Sequence, residues 1–296
     1  MTTSPWRRLL DGQISRLCVY DIDTREVTVL HETDEHVLEA PNWSVRDDEL
    51  YVNQNGLMHR IPADGSGALT LVDTGAVTDA NNDHVLSPDG ATLYLSTAAG
   101  EIHAVALDTG ETRRVSNPHE TPFRYYLHGI SPDGVTLSYV GHDVEAGTFD
   151  LYLVPAAGGE DTRLTDTRFH HDGVEYAADG SALYFNSDRG SERRGHSQLF
   201  RMNPDGSGVV QLTHDERVNW FPHEAPVGGA LVYLSYEPGV SGHPANLPVE
   251  LRLRHEGAGP EVLRSLFGGQ GTVNVNSWSP DGRRFGFVEY PVASGS

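Results

Sequence analysis

Ser87-Pro88-Asp89-Gly90, followed by Ala91-Thr92-Leu93-Tyr94-Leu95-Ser96, is the stretch on which the reading of the fold turns. Pro presets φ at the first corner of a tight turn. Asp bonds locally to the backbone, and Gly takes the position that needs positive φ. The run that follows is apolar over strand length. The unit returns at Ser131-Pro132-Asp133-Gly134, Ala177-Ala178-Asp179-Gly180 and Ser279-Pro280-Asp281-Gly282, each time ahead of an apolar run. Two degraded copies fill the gaps: Val45-Arg46-Asp47-Asp48 and Ala225-Pro226-Val227-Gly228.

Later in a unit come a further strand, such as Gln198-Leu199-Phe200-Arg201-Met202, an Asp205-Gly206 turn, and a short closing strand Val210-Gln211-Leu212-Thr213. Pro88 and Pro132 stand 44 residues apart, and Pro132 and Ala178 stand 46 apart. Four strands in a period of about 40–50 residues describe a propeller blade. The expectation is an all-β, six-bladed β-propeller as one domain over 1–296, with blades at 39–75, 81–118, 125–167, 171–215 and 219–266. The last blade, 274–290, has too few strands, and residues 15–32 carry two strands without a turn motif. The N-terminal strands are therefore expected to complete it, which removes the exposed sheet edges.

Composition narrows the function. With 32 Gly and 17 Pro in 296 residues, long helices are disfavoured. A formal net charge of -21 argues against nucleic-acid and anionic-membrane partners. Lysine is absent, so no Schiff base can form. The lone Cys18 lies in an alternating apolar run and reads as a buried structural thiol. Met1–Gly12 lacks a signal-peptide core, and no segment has the length of a bilayer span, so a cytoplasmic location is expected. No Walker loop or dinucleotide fingerprint is present, hence no nucleotide cofactor is expected.

The turn units, together with Asn186-Ser187-Asp188-Arg189-Gly190, Gln198–Asn203, Asp205-Gly206-Ser207-Gly208 and Gln211-Leu212-Thr213, resemble the TolB-type propeller repeat over nearly the whole chain. The resemblance implies the fold. It leaves function open, because such repeats occur in translocation proteins, peptidase propellers and oligogalacturonate lyases.

In a blade the first strand lines the channel, so the Pro-Asp-Gly turns share the bottom face. The starts of the inner strands and the loops between second and third strands share the top. Three of those loops read as long: Gly141–Phe149, Ser187–Ser197 and Tyr236–Val249. Long loops beside regular short turns are where binding is expected. The inner strands begin with His84, His128, His171 and His223, and with Asn42 and Asn276 in the other two blades. Four histidines at one mouth can hold a divalent metal (Mn, Ca or Zn) or perform acid–base work. In this respect the chain resembles oligogalacturonate lyases, which implies a histidine-rich divalent-metal site and a His/Arg pair for β-elimination of a uronate.

His128 and His171 with Arg124 and Arg189 are the catalytic candidates. Trp43, Asn42, Tyr236, His243 and Asn276 are the candidates for substrate binding. Arg193 and Arg194 adjoin Glu192, which reads as neutralising them. The leading expectation is a cytoplasmic carbohydrate-active enzyme, such as a metal-assisted lyase on an acidic saccharide. The alternative is a non-catalytic propeller binding a peptide or protein at the top face.

Overall fold

The computed structural model describes residues 6–292; residues 1–5, part of the stretch Met1–Gly12, lie outside them. No described residue is helical. The chain opens with β1 (Ser15–Asp21) and β2 (Val27–Thr33). The first complete blade is β3 (Leu38–Trp43), β4 (Glu49–Gln54), β5 (Leu57–Pro62) and β6 (Thr70–Leu71). The second is β7 (Ala80–Leu86), β8 (Thr92–Thr97), β9 (Ile102–Ala106) and β10 (Thr112–Arg114). The third is β11 (Phe123–Ile130), β12 (Thr136–Asp143), β13 (Thr148–Pro155) and β14 (Thr162–Arg163). The fourth is β15 (His171–Tyr176), β16 (Leu183–Ser187), β17 (Gln198–Met202) and β18 (Val210–Gln211). The fifth is β19 (Val218–Glu224), β20 (Leu231–Tyr236), β21 (Leu247–Arg254) and β22 (Glu261–Gly268).

The sixth blade joins the two ends of the chain. β23 (Arg284–Glu289) pairs antiparallel with β1, and β1 pairs with β2. The stretch 272–278 takes the inner position, through a Trp278–Phe285 bridge and the Gly286 N–H donating to the Ser277 carbonyl. Glu289 locks the seam by accepting from Arg16 at 3.0 Å and Arg264 at 2.7 Å. The ring is thus a six-bladed β-propeller closed by its N-terminal strands.

The turn motif works through its serine as well as its aspartate. Ser87 Oγ donates to Asp89 Oδ1 (2.5 Å) and accepts from the Thr92 N–H (2.9 Å), while Gly90 sits at φ 67°. Ser131 and Ser279 repeat the arrangement with Asp133 and Asp281. Each turn therefore satisfies its own polar groups and sets the register of the next strand. The apolar core lies between blades. Cys18, Trp220, Tyr236, Phe285 and Phe287 share one cluster that spans the fifth and sixth blades. Burial pushes the Cys18 thiol up to about 12, so it stays protonated and inert.

Candidate functional site in the upper channel

Five inner strands carry a β-bulge: between Glu39 and Asn42, Ala80 and His84, Leu127 and Gly129, Asp172 and Glu175, and Trp220 and His223. Three of them place a residue at positive φ: Ala40 (54°), Gly173 (61°) and Phe221 (55°). A bulge leaves residues unpaired and re-aims side chains. His84 and His128 both stand four residues before their motif proline, yet His84 is paired to Leu95 while His128 is the unpaired residue of its bulge. Only His128 faces the channel cavities.

The channel is split into two cavities. The upper one, about 340 Å³, is lined by Asp83, His128, His170, Asp172 and His243, with Tyr126, Phe149 and Phe221 as aromatic walls and Asn81, Asn82, Gln270 and Asn274 as carboxamides. The lower one, about 250 Å³, opens on the Pro-Asp-Gly face through Pro132, Ala178, Pro226 and Pro280. Between them is a polar plug. Glu175 accepts from His223 Nδ1 (2.6 Å) and Asn276 Nδ2 (2.7 Å), His223 Nε2 meets the Val273 carbonyl (3.0 Å), and Asn42 donates to the Asn276 carbonyl (2.6 Å).

The upper cavity centres on Asp172. His128 Nε2 lies 3.0 Å from its Oδ1, and His170 and His243 approach its Oδ2 at 3.7 and 3.6 Å. Burial opposes ionisation of Asp172, but these three imidazoles outweigh it and hold the carboxyl well below the usual range. Burial also opposes a charge on His128, and Asp83 and Asp172 together overcome it, raising its pKa to about 9. His128 is thus an imidazolium at neutral pH, its other nitrogen 3.3 Å from the Asn274 carbonyl. Asp83 is different. Burial raises it to about 6 despite the nearby His128, because Asp172 adds repulsion. One buried carboxylate is held ionised and its neighbour titrates close to neutrality, a division suited to acid–base chemistry.

The structure brings only part of the expected site together. His128 and His243 line the upper cavity. His84 is fully buried against the Tyr51 backbone, and burial lowers its pKa to about 4. His171 is also buried, with Nε2 2.8 Å from Thr167 Oγ1 and its ring edge on Phe185, and burial lowers it to about 4. Arg189 lies over Phe200 and Arg124 is exposed on β11; neither lines the cavity. Asn42, Trp43 and Asn276 line the opposite mouth, where Trp43 Nε1 donates to Asp48 Oδ1 at 2.9 Å. Tyr236 is fully buried, and its hydroxyl donates to the Pro244 carbonyl, which pins the loop bearing His243. The supposed long loop Gly141–Phe149 is a hairpin whose ladder continues to Asp143–Thr148, so only 188–197 and 237–246 are long.

The four histidines expected to hold a divalent metal do not form one ligand set. His84 and His171 lie outside the cavity, and both ring nitrogens of His128 and of His223 face protein oxygens. A metal needs a free imidazole lone pair. Among the described residues no three His, Cys, Asp or Glu side chains are disposed to hold an ion together. The residues that sequence reasoning did not select are Asp83, His170, Asp172, Gln270 and Asn274. Asp83 and Asp172 adjoin selected histidines, and a rule that allowed a bulge to swap neighbouring side chains would have found them.

No family model matches the chain. An uncharacterized protein of Agrobacterium fabrum is 39% identical over 281 residues, which is 93% of this chain and 92% of that one. A solved structure from Agrobacterium tumefaciens, provisionally assigned as TolB, matches with a TM-score of 0.86 at 37% identity, covering 94% of this chain and 99% of that one. Oligogalacturonate lyase in complex with manganese matches with a TM-score of 0.57 at 16% identity, covering 88% and 75%, a likeness of fold. With blade architecture, ring closure and near full-length similarity in agreement, the chain belongs to the TolB-like β-propeller family.

Proposed function

We propose that the upper cavity is the active site of a carbohydrate-active enzyme, with Asp83 as the proton-transfer group and His128 as its fixed positive partner. The observation that carries this reading is the buried pair itself: Asp83 at about 6 beside His128 at about 9, inside a cavity of about 340 Å³. That volume falls in the range of small-molecule sites, about 300–1,000 Å³. Tyr126, Phe149 and Phe221 offer apolar faces to a sugar ring, and Asn81, Asn82 and Gln270 offer donors and acceptors to its hydroxyls. The likeness of fold to a lyase acting on oligogalacturonate favours a uronate and β-elimination. In that reaction Asp83 takes the proton α to the carboxylate, the C–O bond at the β carbon breaks, a C=C bond forms, and the proton held on Asp83 passes to the departing sugar oxygen, which leaves as a hydroxyl. His128 stabilises the negative charge that develops. No step is routed through a metal, because the histidines do not form its ligand set.

The test is formation of unsaturated product from a panel of uronate oligosaccharides. The rate rises with pH through about 6, as Asp83 ionises, and falls through about 9, as His128 loses its proton. Asp83→Asn lowers kcat by about 100-fold or more. Turnover by Asp83→Asn at the wild-type rate overturns the assignment.

A further inference from the structure

The two long top loops enclose a second space of about 230 Å³ beside the upper cavity, and His170 lines both. Its wall includes Trp220, which is 2% exposed and whose indole N–H finds no acceptor. An indole nitrogen can only donate, so this buried group lacks an acceptor that a ligand can supply. Arg194 stands in the same wall. The residue is exposed and makes no ion pair with any described residue, whereas the adjacent Arg193 reaches Glu216 at 3.7 Å.

The neutralisation expected from nearby acids does not reach Arg194. Asp188, the carboxylate of this wall, already accepts from the His170 and Gly195 backbone N–H groups, each at 2.9 Å. Asp188 is thereby engaged in shaping the loop. Gly195, at φ 80°, lets the loops meet, since a Cβ there would clash with the Ser241 side chain. Meanwhile the upper cavity holds Asp83 and Asp172 and is lined by no arginine. The arginine that can meet an anionic group stands one wall away, where there is one carboxylate, Asp188, against two in the upper cavity.

We propose that this side cavity is the subsite for the carboxylate of an anionic sugar, bound by the Arg194 guanidinium and the Trp220 indole N–H, with the sugar ring in the upper cavity across His170. The inference rests on the carbohydrate reading above and gives the substrate's carboxylate its place.

The experiment follows the Trp220 indole resonance, assigned by its loss in Trp220→Phe, in ¹H–¹⁵N spectra of the intact protein. D-glucuronate and D-glucose are titrated at equal concentrations. Glucuronate shifts the indole signal saturably, glucose does not, and Arg194→Gln weakens the glucuronate response about tenfold or more while Arg194→Lys retains part of it. If both sugars move resonances of Tyr126 and Phe221 but Trp220 stays still, or if Arg194→Gln changes nothing, the subsite is overturned and the carbohydrate reading stands. If glucuronate moves only Trp220 and neither sugar reaches the upper cavity, the carboxylate contact stands, and the ring placement and the carbohydrate reading fall. If no resonance moves, both fall.

Discussion

Replacing Asp172 by Asn removes the charge that His128, His170 and His243 share while keeping the side chain's shape. Its effect is best read through His128. The unfolded chain releases the His128 proton near 6.5, and the folded chain holds it to about 9. The raised folded value means that this contribution is complete below about pH 6.5 and is lost as pH rises through about 9. At its fullest it amounts to about 3 kcal/mol, and between about pH 7.5 and 9.5 the wild type loses about 2 kcal/mol of it. Asp83 and Asp172 are already ionised in this window, and the loss that comes from holding Cys18, Tyr236 and Tyr290 protonated in the folded chain is common to wild type and variant, so the difference between the two curves reports His128. In Asp172→Asn, burial works against a charge on His128 with only Asp83 and the Asn274 carbonyl left to oppose it. With the His128 pKa lowered, the variant is expected to be less stable by about 2 kcal/mol at pH 7.5. Its stability should then fall less steeply than that of the wild type up to pH 9.5. Urea unfolding at a series of pH values gives the curve, and the His128 Hε1 signal gives the titration directly. Parallel curves for the two proteins, or a wild-type His128 titrating near 6.5, would refute the electrostatic account of this site.

Gly173→Ala places a Cβ 2.7 Å from Asn186 Oδ1 on a backbone at φ 61°; it should cost about 1–3 kcal/mol in urea unfolding and displace the neighbouring Asp172, visible as a lowered His128 pKa. Glu289→Ala leaves Arg16 and Arg264 without their shared acceptor at the seam and should destabilise by about 3 kcal/mol, whereas Glu32→Ala, on the exposed side of Arg16, should stay within about 1 kcal/mol. Tyr236→Phe keeps the buried ring but frees the Pro244 carbonyl; it should weaken sugar binding more than it lowers stability, because it loosens the loop that carries His243. Calorimetric titration beside thermal unfolding separates the two effects.

The ring was legible because its signals are local. Pro, Asp and Gly state their turn wherever they stand together, and Ser87, Ser131 and Ser279 repeat one hydrogen-bond pattern at one spacing. The closing strands were legible because Arg16–Tyr20 alternates without a turn motif of its own. The site was less so. Side-chain direction on the inner strands follows bulges, and the bulges at Ala40 and Phe221 sit on residues that seldom adopt positive φ, so nothing in composition announces them. His84 and His128 are indistinguishable by position relative to the turn, yet one is packed against a neighbouring blade and the other carries the cavity's positive charge. Asn42, on a bulged strand, and Asn276 line the lower cavity instead of the upper one. Gly141–Phe149 looked like a loop because Gly and charged residues mask a ladder that His142 and Phe149 stack across.

The sixth blade takes its outer strands from one end of the chain and its inner ones from the other. Its inner stretch also supplies Asn274, whose carbonyl holds His128, and Asn276, which helps to plug the channel. The surroundings of His128 are therefore completed by ring closure, because its carbonyl partner stands on the stretch that docks beside the strand paired with β1. A truncated or nicked chain that keeps most of its sheet should still look folded by circular dichroism and yet show a changed His128 titration, which makes the protonation of His128 a reporter of ring closure.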